Sequence, residues 1–402
     1  MITTINNKHN KLNFSNEREQ SQTCLNSAEH EKNQGRKVLN VPNLRFPEFE
    51  GEWEEERLAD IADLYKGTGI SKDQLSDDGE PCILYGELYT KYKSETIREV
   101  ISKTNIDNTK LVRSKANDVI IPCSGETAED IATARCVLNG NILLGGDLNI
   151  IRLHGYDGAF MSYQLNGRRK YDIAKVAQGV SVVHLYGEHL KGVKTINPCL
   201  EEQKKIAKLL SLLDERIATQ NKIIDKLQSL IKGIAHKLFQ TARTTKPLLE
   251  FAPNITSGTD KSGSGTIIPL YGSTGIIGTV KNASQNGNIV LVARVGTIGA
   301  VQYVNEPCGV SDNALIVEAG EMTKYIYHFL KTYNFARITS GTTQPLITAS
   351  SLKKVAIPTY DIESQTSIVL CLNSLEKKLD IAKQYLSEIA VMKQYLLCQM
   401  FI

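Results

Sequence analysis

Two short loops each combine a glycine with side chains that can donate hydrogen bonds. Glycine permits a positive φ angle or the close approach of another backbone. Hydroxyl and amide groups can donate to phosphate oxygens or to base edges. A glycine that only closes the C-terminus of a helix would also explain the pattern, and the two interpretations are compatible. The candidate contact residues are Gln178, Gly179 and Ser181 in the first loop and Gly341, Thr342, Thr343 and Gln344 in the second.

Basic residues surround both loops, although the formal net charge of the chain is only +3 and does not by itself indicate a nucleic-acid binder. Six basic and two acidic residues lie between Tyr163 and Pro198, and the matching later stretch, from Lys324, holds five basic residues before Asp361. A basic segment is usually only a solvated face, but its recurrence at equivalent places favours phosphate contacts. The candidate phosphate contacts are Lys175, Lys191, Lys194, Lys353 and Lys354.

One arginine stands where a predicted strand gives way to a glycine-rich loop. Arg294, in the string V-A-R-V-G-T, is a candidate base reader, and a structural ion pair is an equally good interpretation. Thr297 in the same loop completes that candidate group. Tyr271 precedes a glycine, as Tyr85 does earlier in the chain, and is a further candidate. Tyrosine rings at such places belong more often to the core than to a contact surface.

The sequence lacks motifs that would indicate catalysis. Asn197-Pro198-Cys199 has neither the second proline nor the aromatic residue of N-P-P-[FY], and there is no G-x-x-x-x-G-K-[ST] phosphate loop. His184, Glu188 and His189 miss the spacing of the inverted zinc motif by one residue, and Gly187 interrupts them. We therefore expect a recognition protein without catalytic residues and without a metal site.

The cysteines and the hydropathy pattern bear on location. Eight cysteines are scattered without a C-x-x-C pair, which argues against a zinc ribbon or a disulfide framework and fits a reducing compartment. No uninterrupted apolar run is long enough to cross a membrane. The first residues, MITTINNKHNKLNF, lack the apolar core of a signal peptide. These patterns predict a cytoplasmic protein.

Two long helices are predicted to position the loops. Apolar residues recur at alternating steps of four and three in two stretches, which is the a/d seam of a coiled coil. At 1.5 Å per residue each helix would be roughly 50 Å long. Gln220 and Lys393 are the polar members of the two seams. The apolar members are Ile206, Leu210, Leu213, Ile217, Ile224, Leu227, Ile231, Ile234 and Leu238, and then Ile368, Leu372, Leu375, Leu379, Ala382, Leu386, Ile389, Leu396 and Met400.

The helices belong to a larger internal duplication. Tyr163 and Tyr325 are separated by 162 residues (325 − 163 = 162). Nearer the front, Leu58 matches Leu248 at a larger offset (248 − 58 = 190), so the first copy carries about 28 extra residues. Other pairs at the offset of 162 are Gly179 with Gly341, Leu190 with Leu352, Val193 with Val355, Gln203 with Gln365 and Phe239 with Phe401.

Each copy is predicted to be a globular head followed by a long helix. Short segments rich in β-branched residues, separated by Gly, Asn and Asp, indicate strands. A helix is expected over Phe160–Ala177 in the first head and over Lys324–Ile338 in the second. The fold class is therefore α/β, with mixed α+β heads. The predicted boundaries are a disordered arm at 1–41, a first head at 42–198, a first long helix at 199–241, a second head at 242–358 and a second long helix at 359–402.

The short connections predict that the two helices run antiparallel. The first helix ends near Phe239, and the second head begins by Leu248. That head ends at Pro358, only a few residues before the second helix begins near Ile362. The heads are then expected at opposite ends of the rod, related by a pseudo-twofold axis. The expected neighbours are Ile206 with Met400, Leu238 with Ile368, and Gln220 with Ala382 near the middle.

Several segments are typical of one known family. They are VPNLRFPEFEGEW (41–53), LKGVKTINPCLEEQKKIAKLLSLLDERI (190–217), SGTTQPLITASSLKKVAIP (340–358) and IESQTSIVLCLNSLEKKLD (362–380). The glycine-turn strings YGSTGIIGTV and ARVGTIGAV add to them. On these segments the chain, from Val41 to Ile402, resembles the specificity subunit of type I restriction–modification systems.

The resemblance implies two target-recognition domains, each of which reads one half of an asymmetric bipartite site in double-stranded DNA. It also implies that two long antiparallel coiled-coil helices separate these domains and set the length of the unread spacer. It implies a non-catalytic chain with no cofactor of its own. Two modification subunits, which carry S-adenosylmethionine and methylate adenine, would dock on the duplicated framework. Two restriction subunits would add translocation and cleavage that depend on ATP and Mg²⁺. The alternative is a coiled-coil scaffold whose heads bind protein or carbohydrate, and the basic loops argue mildly against it.

Overall fold

The structure is a computed structural model, and it describes residues 39–107, 109–179, 182–263, 267–341 and 345–402. These residues form two compact units. One unit contains the residues up to Ala218 together with Ser387–Ile402, and the other is Thr219–Leu386. Each long helix therefore contributes to both units. Most of the predicted N-terminal arm lies outside the described residues, which begin at Leu39.

The first unit contains the first head, which is built from short strands and short helices. Its strands are β1 (Glu54–Arg57), β2 (Ala62–Lys66), β3 (Leu75–Ser76), β4 (Glu80–Ile83), β5 (Thr96–Ile97), β6 (Ser102–Thr104), β7 (Asp118–Pro122), β8 (Ser124–Gly125), β9 (Arg135–Val137), β10 (Leu143–Leu144), β11 (Leu148–Leu153), β12 (Val183–His184) and β13 (Lys194–Asn197). Its helices are α1 (Leu58–Ile61), α2 (Glu87–Thr90), α3 (Ala128–Ile131), α4 (Gly158–Asn166), α5 (Lys170–Val176) and α6 (Gly187–Lys191), and the first long helix, α7 (Leu200–Gln240), follows.

Strand β7 lies at the centre of the larger sheet of the first head, in the order β2-β11-β7-β9-β5. Val119 and Ile121 belong to one hydrophobic core, which also holds Phe160 of α4. Ile120 belongs to a second core. Successive side chains of a strand point to opposite faces, so a run that is apolar throughout forms a strand buried on both sides. All five residues of β7 are indeed buried.

The second unit contains the second head, which uses the same kinds of element. Its strands are β14 (Thr244–Pro247), β15 (Thr256–Ser257), β16 (Ile268–Tyr271), β17 (Ile276–Val280), β18 (Ile289–Ala293), β19 (Val301–Val304), β20 (Gly309–Val310), β21 (Ala314–Val317) and β22 (Ala356–Thr359). Its helices are α8 (Thr323–Thr332) and α9 (Ala349–Lys353), and the second long helix, α10 (Ile362–Met400), follows.

The two heads share a sheet topology. The order β15-β21-β18-β19 in the second head corresponds to β2-β11-β7-β9 in the first. Strand β18 is likewise buried on both faces, with Val290 and Val292 in one core and Ile289 and Leu291 in another. Each head has a second sheet, in the order β10-β4-β6-β3 in the first head and β17-β16-β20 in the second. Each of these two sheets contains one parallel pair, β4 with β10 and β16 with β20. Among the described residues, β3 and β5 have no counterpart in the second head, in keeping with the longer front of the first.

The two long helices are antiparallel within the second unit. Gln220 of α7 contacts Ala382 of α10, whereas the carbonyl oxygen of Leu238, farther along α7, accepts from the hydroxyl of Tyr360, just before α10. Residues farther along α7 therefore contact residues with lower numbers in or just before α10. The same core contains Ile368, against which Leu238 was expected to lie. The predicted direction of the helices is confirmed.

In the first unit, the start of α7 packs against the end of α10, as an antiparallel pair requires. Ile206 and Leu210, near the start of α7, share a hydrophobic core with Met400 and Phe401, at the end of the chain. Lys393 of α10 is ion-paired with Asp214 of α7. The a/d seam predicted from the sequence is thus the surface along which the helices pack.

Two of the shorter helices differ from the sequence-based expectation. The segment Phe160–Ala177 contains two helices, α4 and α5, which are separated by a turn that begins at Gly167. The second predicted helix ends at Thr332, and a separate 3₁₀ helix follows at Phe335–Arg337. Glycine disfavours a helix interior because it loses the most backbone entropy, which accounts for the first break. The exact domain boundaries stay predictions.

Candidate nucleic-acid interface

In the first head, a backbone bridge closes the segment that carries the first candidate loop. The N–H of Gln178 donates to the carbonyl oxygen of His184 at 2.9 Å, and the N–H of His184 donates to that of Gln178 at 2.7 Å. Gly179 follows with a φ of +126°, and a Cβ there would overlap the main-chain oxygen of Val182. This position therefore requires glycine. Ser181, also a candidate, lies outside the described residues.

The second head closes its loop in the same way. The N–H of Ser340 donates to the carbonyl oxygen of Leu346 at 3.0 Å, and the N–H of Leu346 donates to that of Ser340 at 2.8 Å. Gly341 has a φ of +92°. The bridge belongs to the internal repeat, because Ser340 corresponds to Gln178 (340 − 178 = 162) and Leu346 to His184. The candidates Thr342, Thr343 and Gln344 lie outside the described residues.

The interpretation of these glycines as helix caps is wrong. Helix α5 ends at Val176, and Ala177 after it is already extended, so Gly179 lies beyond the end of the helix. Helix α8 ends at Thr332, well before Gly341. In both heads the glycine instead follows the first residue of a backbone bridge. Its conformation serves the loop and not a helix terminus.

A third backbone hydrogen bond joins each loop to the central strand of its head. The N–H of Leu185 donates to the carbonyl oxygen of Cys123, directly after β7, at 2.8 Å. The N–H of Ile347 donates to the carbonyl oxygen of Arg294, directly after β18, at 3.1 Å. Leu185 and Ile347 are again equivalent (347 − 185 = 162). Each loop is thus fixed by main-chain atoms at the end of a strand that is buried on both faces.

Arg294 therefore lies beside the second loop. Its N–H donates to the carbonyl oxygen of Asn313 at 3.0 Å, and its own carbonyl oxygen accepts from Ile347, so its backbone is held on both sides. The residue is half-buried. Its Nε is buried and has no hydrogen-bond partner. No carboxylate in the described part of the chain forms an ion pair with it, so the structural ion pair considered from the sequence is not found there.

The hairpin after Arg294 places Thr297 in an exposed turn. The N–H of Ala300 donates to the carbonyl oxygen of Thr297 at 3.1 Å, which closes that turn. The hydroxyl of Ser273 donates to the carbonyl oxygen of Val295 at 3.1 Å. The glycine-rich turn after β16, this hairpin and the second loop therefore meet at one place in the second head.

Tyr271 is engaged within the second head. Its ring packs against the core that contains Leu291 and Val310, and its hydroxyl donates to the carboxylate of Glu306 at 2.6 Å. Burial and that hydrogen bond raise the pKa of Tyr271. Ring and hydroxyl are both occupied, so this candidate has little left with which to contact a base.

The candidate lysines differ in their partners. Lys191 is ion-paired with Glu188 at 2.7 Å, and Lys194 with Glu55 at 2.5 Å. The second pair lowers the pKa of Glu55. Exposed pairs of this kind contribute little to stability, so a phosphate can replace the carboxylate at small cost. Lys175 and Lys354 are exposed and Lys353 is half-buried, and none of the three forms an ion pair with another described residue.

Sequence reasoning missed an exposed cluster of rings beside the first loop. Tyr186 is 52% exposed, and its ring centroid lies 6.2 Å from that of His184 and 5.4 Å from that of His189. The available signal was the alternation of buried Val183 and Leu185 with exposed His184 and Tyr186. These rings add an apolar contact surface to the loop, and two of them are the histidines first weighed as metal ligands.

The described residues contain neither a cluster of metal-ligating side chains nor a helix suited to a membrane. No three of their His, Cys, Asp and Glu side chains lie together as a metal site would require. Among the helices that the structure describes, none combines the length and the apolar character needed to cross a bilayer.

Comparison with known proteins places this geometry in a family. The family model described as the type I restriction modification DNA specificity domain matches residues 50–229 and 237–391, which is most of the chain. The specificity subunit of the type I restriction enzyme MjaVIII from Methanocaldococcus jannaschii is 29% identical over 197 residues. That match covers 49% of this chain and 43% of the relative, so the chain spans less than half the length of this relative.

Solved structures resemble the fold over a longer stretch. The S subunit of a type I restriction–modification system from M. genitalium has a TM-score of 0.67 at 20% identity, covering 90% of this chain and 99% of that one. A chain from work on complex assembly and conformational transition of the type I R-M system has a TM-score of 0.52 at 14% identity, covering 90% and 98%. The family match and these likenesses agree, and the chain belongs to the family of type I restriction modification DNA specificity domains.

Proposed function

We propose that this chain is the DNA sequence-specificity subunit of a type I restriction–modification complex. In this proposal each head reads one half of an asymmetric bipartite target in double-stranded DNA. The long helices α7 and α10 set the unread spacer between the halves. The chain supplies recognition and no catalytic group.

The observation that carries the proposal is the bridged loop that recurs in both heads. Gly179 and Gly341 follow equivalent backbone bridges, each beside the end of a buried central strand. The bases of a duplex must be read by groups held at fixed distances from one another, whereas phosphates can be bound by long mobile side chains. A loop held by main-chain hydrogen bonds provides the fixed element, and the neighbouring lysines provide the mobile one.

Differences between the heads support an asymmetric target. The residue after the central strand is Cys123 in the first head and Arg294 in the second. Tyr186 adds an exposed ring beside the first loop, and its equivalent in the second head (186 + 162 = 348) is Thr348. Identical heads related by twofold symmetry would read a palindrome. Heads with different groups at equivalent places are suited to two different half-sites.

The helices are suited to docking partner subunits. Apolar side chains of α10 remain exposed in both units, and exposed apolar surface marks sites of protein interaction. We propose two modification subunits there, carrying S-adenosylmethionine for adenine methylation, and two restriction subunits that use ATP and Mg²⁺. The exposed side chains are Ile362, Leu370, Ile381 and Tyr385 in the second unit and Val391, Met392 and Tyr395 in the first.

The direct test is to map methylated adenines in cells with and without this gene, with the modification subunits present. We expect one bipartite, non-palindromic motif that disappears with the gene. A palindromic motif, or methylation unchanged by loss of the gene, would contradict the proposal.

Binding measurements test the division of roles between loops and lysines. Replacing Lys353 and Lys354 together by alanine should weaken binding of target and random DNA to a similar degree. It should also reduce the dependence of affinity on salt, since fewer counterions are released. A loss confined to the target sequence would mean that these lysines read bases.

A further inference from the structure

Arg294 differs from the other buried and half-buried arginines that the structure describes. Those arginines use their guanidinium groups inside the protein. Arg45 makes two bonds to Glu202, Arg152 makes two to Asp118, and Arg135 donates to backbone carbonyls. The guanidinium of Arg294 has no such partner in the described part of the chain. The buried Nε atoms of Arg135, Arg168 and Arg169 also lack a partner, but the terminal nitrogens of those arginines donate within the protein. An arginine whose whole guanidinium is without a partner beside a buried Nε calls for a physical explanation.

The orientation of the Arg294 guanidinium limits what it can bind. Only Nε is both buried and without a partner, so the two terminal nitrogens reach solvent. The backbone of Arg294 is held by Asn313 on one side and Ile347 on the other. The backbone of Arg294 is therefore fixed, and the end of its guanidinium with the two terminal nitrogens faces solvent. A planar pair of N–H donors held in this way matches two acceptors side by side.

We propose that Arg294 reads a guanine in the half-site recognised by the second head, through paired hydrogen bonds from its terminal nitrogens to O6 and N7 in the major groove. Guanine is the base that offers two adjacent acceptors on that edge, and arginine is the side chain that pairs with both. The inference rests on the proposed function and adds to it one residue and one base.

The first head carries no arginine at the equivalent place. Cys123 occupies the place of Arg294, as the matching hydrogen bonds from Leu185 and Ile347 establish. Its thiol is buried, and burial raises the pKa of Cys123 to about 11. A buried, protonated thiol offers only one weak donor. The guanine contact is therefore specific to the second head.

The test modifies the DNA as well as the protein. Once the motif is mapped, each of its guanines is replaced in turn by 7-deazaguanine in a duplex. This base lacks the N7 acceptor and still pairs with cytosine. The assembled complex with unaltered Arg294 should bind about 10- to 100-fold more weakly when one particular guanine is replaced, the range expected for a paired contact to one base.

The protein variant identifies the residue responsible. Arg294→Met removes every donor of the side chain while keeping a flexible apolar stem, so its complex should no longer distinguish guanine from 7-deazaguanine at that position. Arg243→Gln is the matched control, because Arg243 is an exposed arginine of the same unit in the link after α7. That variant should keep the full sensitivity to 7-deazaguanine.

The outcomes separate this inference from the proposed function. If no guanine is sensitive, or if Arg294→Met keeps the sensitivity, the inference is overturned while sequence-specific binding stands. If the unaltered protein shows no preference for a bipartite motif, the proposed function itself fails. Where Arg294→Met does not fold, Arg294→Ala is the second variant, with the same expected loss of sensitivity.

Discussion

The side-chain amide of Gln220 donates to the carbonyl oxygen of Ala382 at 2.9 Å. These residues are equivalent in the internal repeat (382 − 220 = 162). When two copies of one helix pack antiparallel, residue numbers rise along one helix and fall along the other. Equivalent positions can therefore face each other at only one point, which is the middle of the paired segment. The contact therefore marks the centre of the seam, and the small side chain of Ala382 leaves the room that the buried amide needs.

Enlarging Ala382 should destabilise the second unit. Ala382 is 7% exposed and lies against the equally buried Gln220. Ala382→Leu should lower the free energy of unfolding by about 1–3 kcal/mol, because the added carbons overpack a filled site. The same substitution combined with Gln220→Ala should recover part of the loss. Denaturant unfolding of the two single variants and the double variant measures this, and strictly additive losses would contradict a shared site.

Removing the charge of Lys393 should destabilise the first unit strongly. Its ammonium group contacts Glu95 at 2.5 Å and Asp214 at 2.6 Å, and all three side chains are largely buried. Burial alone would lower the pKa of Lys393, but the two carboxylates outweigh it and the pKa is raised. Lys393→Met would remove the cation that contacts both buried acids, at a cost of about 3–5 kcal/mol.

A compensated variant provides the control for Lys393→Met. Adding Glu95→Gln and Asp214→Asn removes the uncompensated charges and should restore much of the lost stability. Thermal unfolding of the single and triple variants decides the matter. Equal destabilisation of both would show that packing by Lys393, and not its charge, is what matters.

The repeat-equivalent residue of Lys393 is Ile231, which lines a cavity of about 340 Å³ in the second unit. An apolar residue thus occupies the equivalent place, so the seam itself does not require a lysine here.

His328 should make the second unit sensitive to mild acid. Burial lowers the pKa of His328, although hydrogen bonding to Asn373 acts against it. The folded state therefore binds this proton less readily than the unfolded chain does. The contribution to stability is fully present above the unfolded pKa of about 6.5 and is lost as the pH falls below it towards the folded pKa. His328→Gln should flatten this part of the pH profile of urea unfolding.

The control for His328 is His236→Gln, at an exposed histidine of α7 that is hydrogen-bonded to Gln240. This variant should leave the pH profile unchanged. A profile that keeps its slope in His328→Gln would assign the acid sensitivity to another group.

Gly179 should be needed for recognition of one half-site only. Its φ of +126° and the main-chain oxygen of Val182 leave no room for a Cβ. Gly179→Ala should cost about 1–3 kcal/mol of local strain and relax the motif in the first half-site while the second is unchanged. Gly192→Ala is the control, since Gly192 has a helical φ of −80° and the nearest atom to an added Cβ is 3.8 Å away. Methylation mapping with each variant measures the effect, and relaxation of both half-sites would refute independent heads.

Much of the fold could be predicted because it depends on local patterns. The seam of α7 and α10 follows from apolar spacing, and the strands β7, β11 and β21 follow from segments rich in β-branched and aliphatic residues. The direction of the helices followed from the lengths of the connections. Each of these signals is contained within a few tens of residues.

The environment of the site depended on contacts between distant residues. Lys194 pairs with Glu55 across 139 residues, and Tyr271 donates to Glu306 across 35. No local pattern reveals such partners. The glycine loops were harder still, because a helix cap and a bridged loop both call for a positive φ, and only the hydrogen bonds of Gln178 and Ser340 distinguish them.

The three hydrogen bonds that hold each loop use only main-chain atoms, which every residue except proline supplies in full. The bridge accordingly joins Gln178 with His184 in one head and Ser340 with Leu346 in the other, so neither residue type is repeated between the heads. Substitutions between the bridge residues can therefore change what the loop touches without disturbing the sheet that carries it. Under the proposed function, new target preferences would arise by exchanging a handful of residues, while the main-chain geometry that holds the loop is inherited intact.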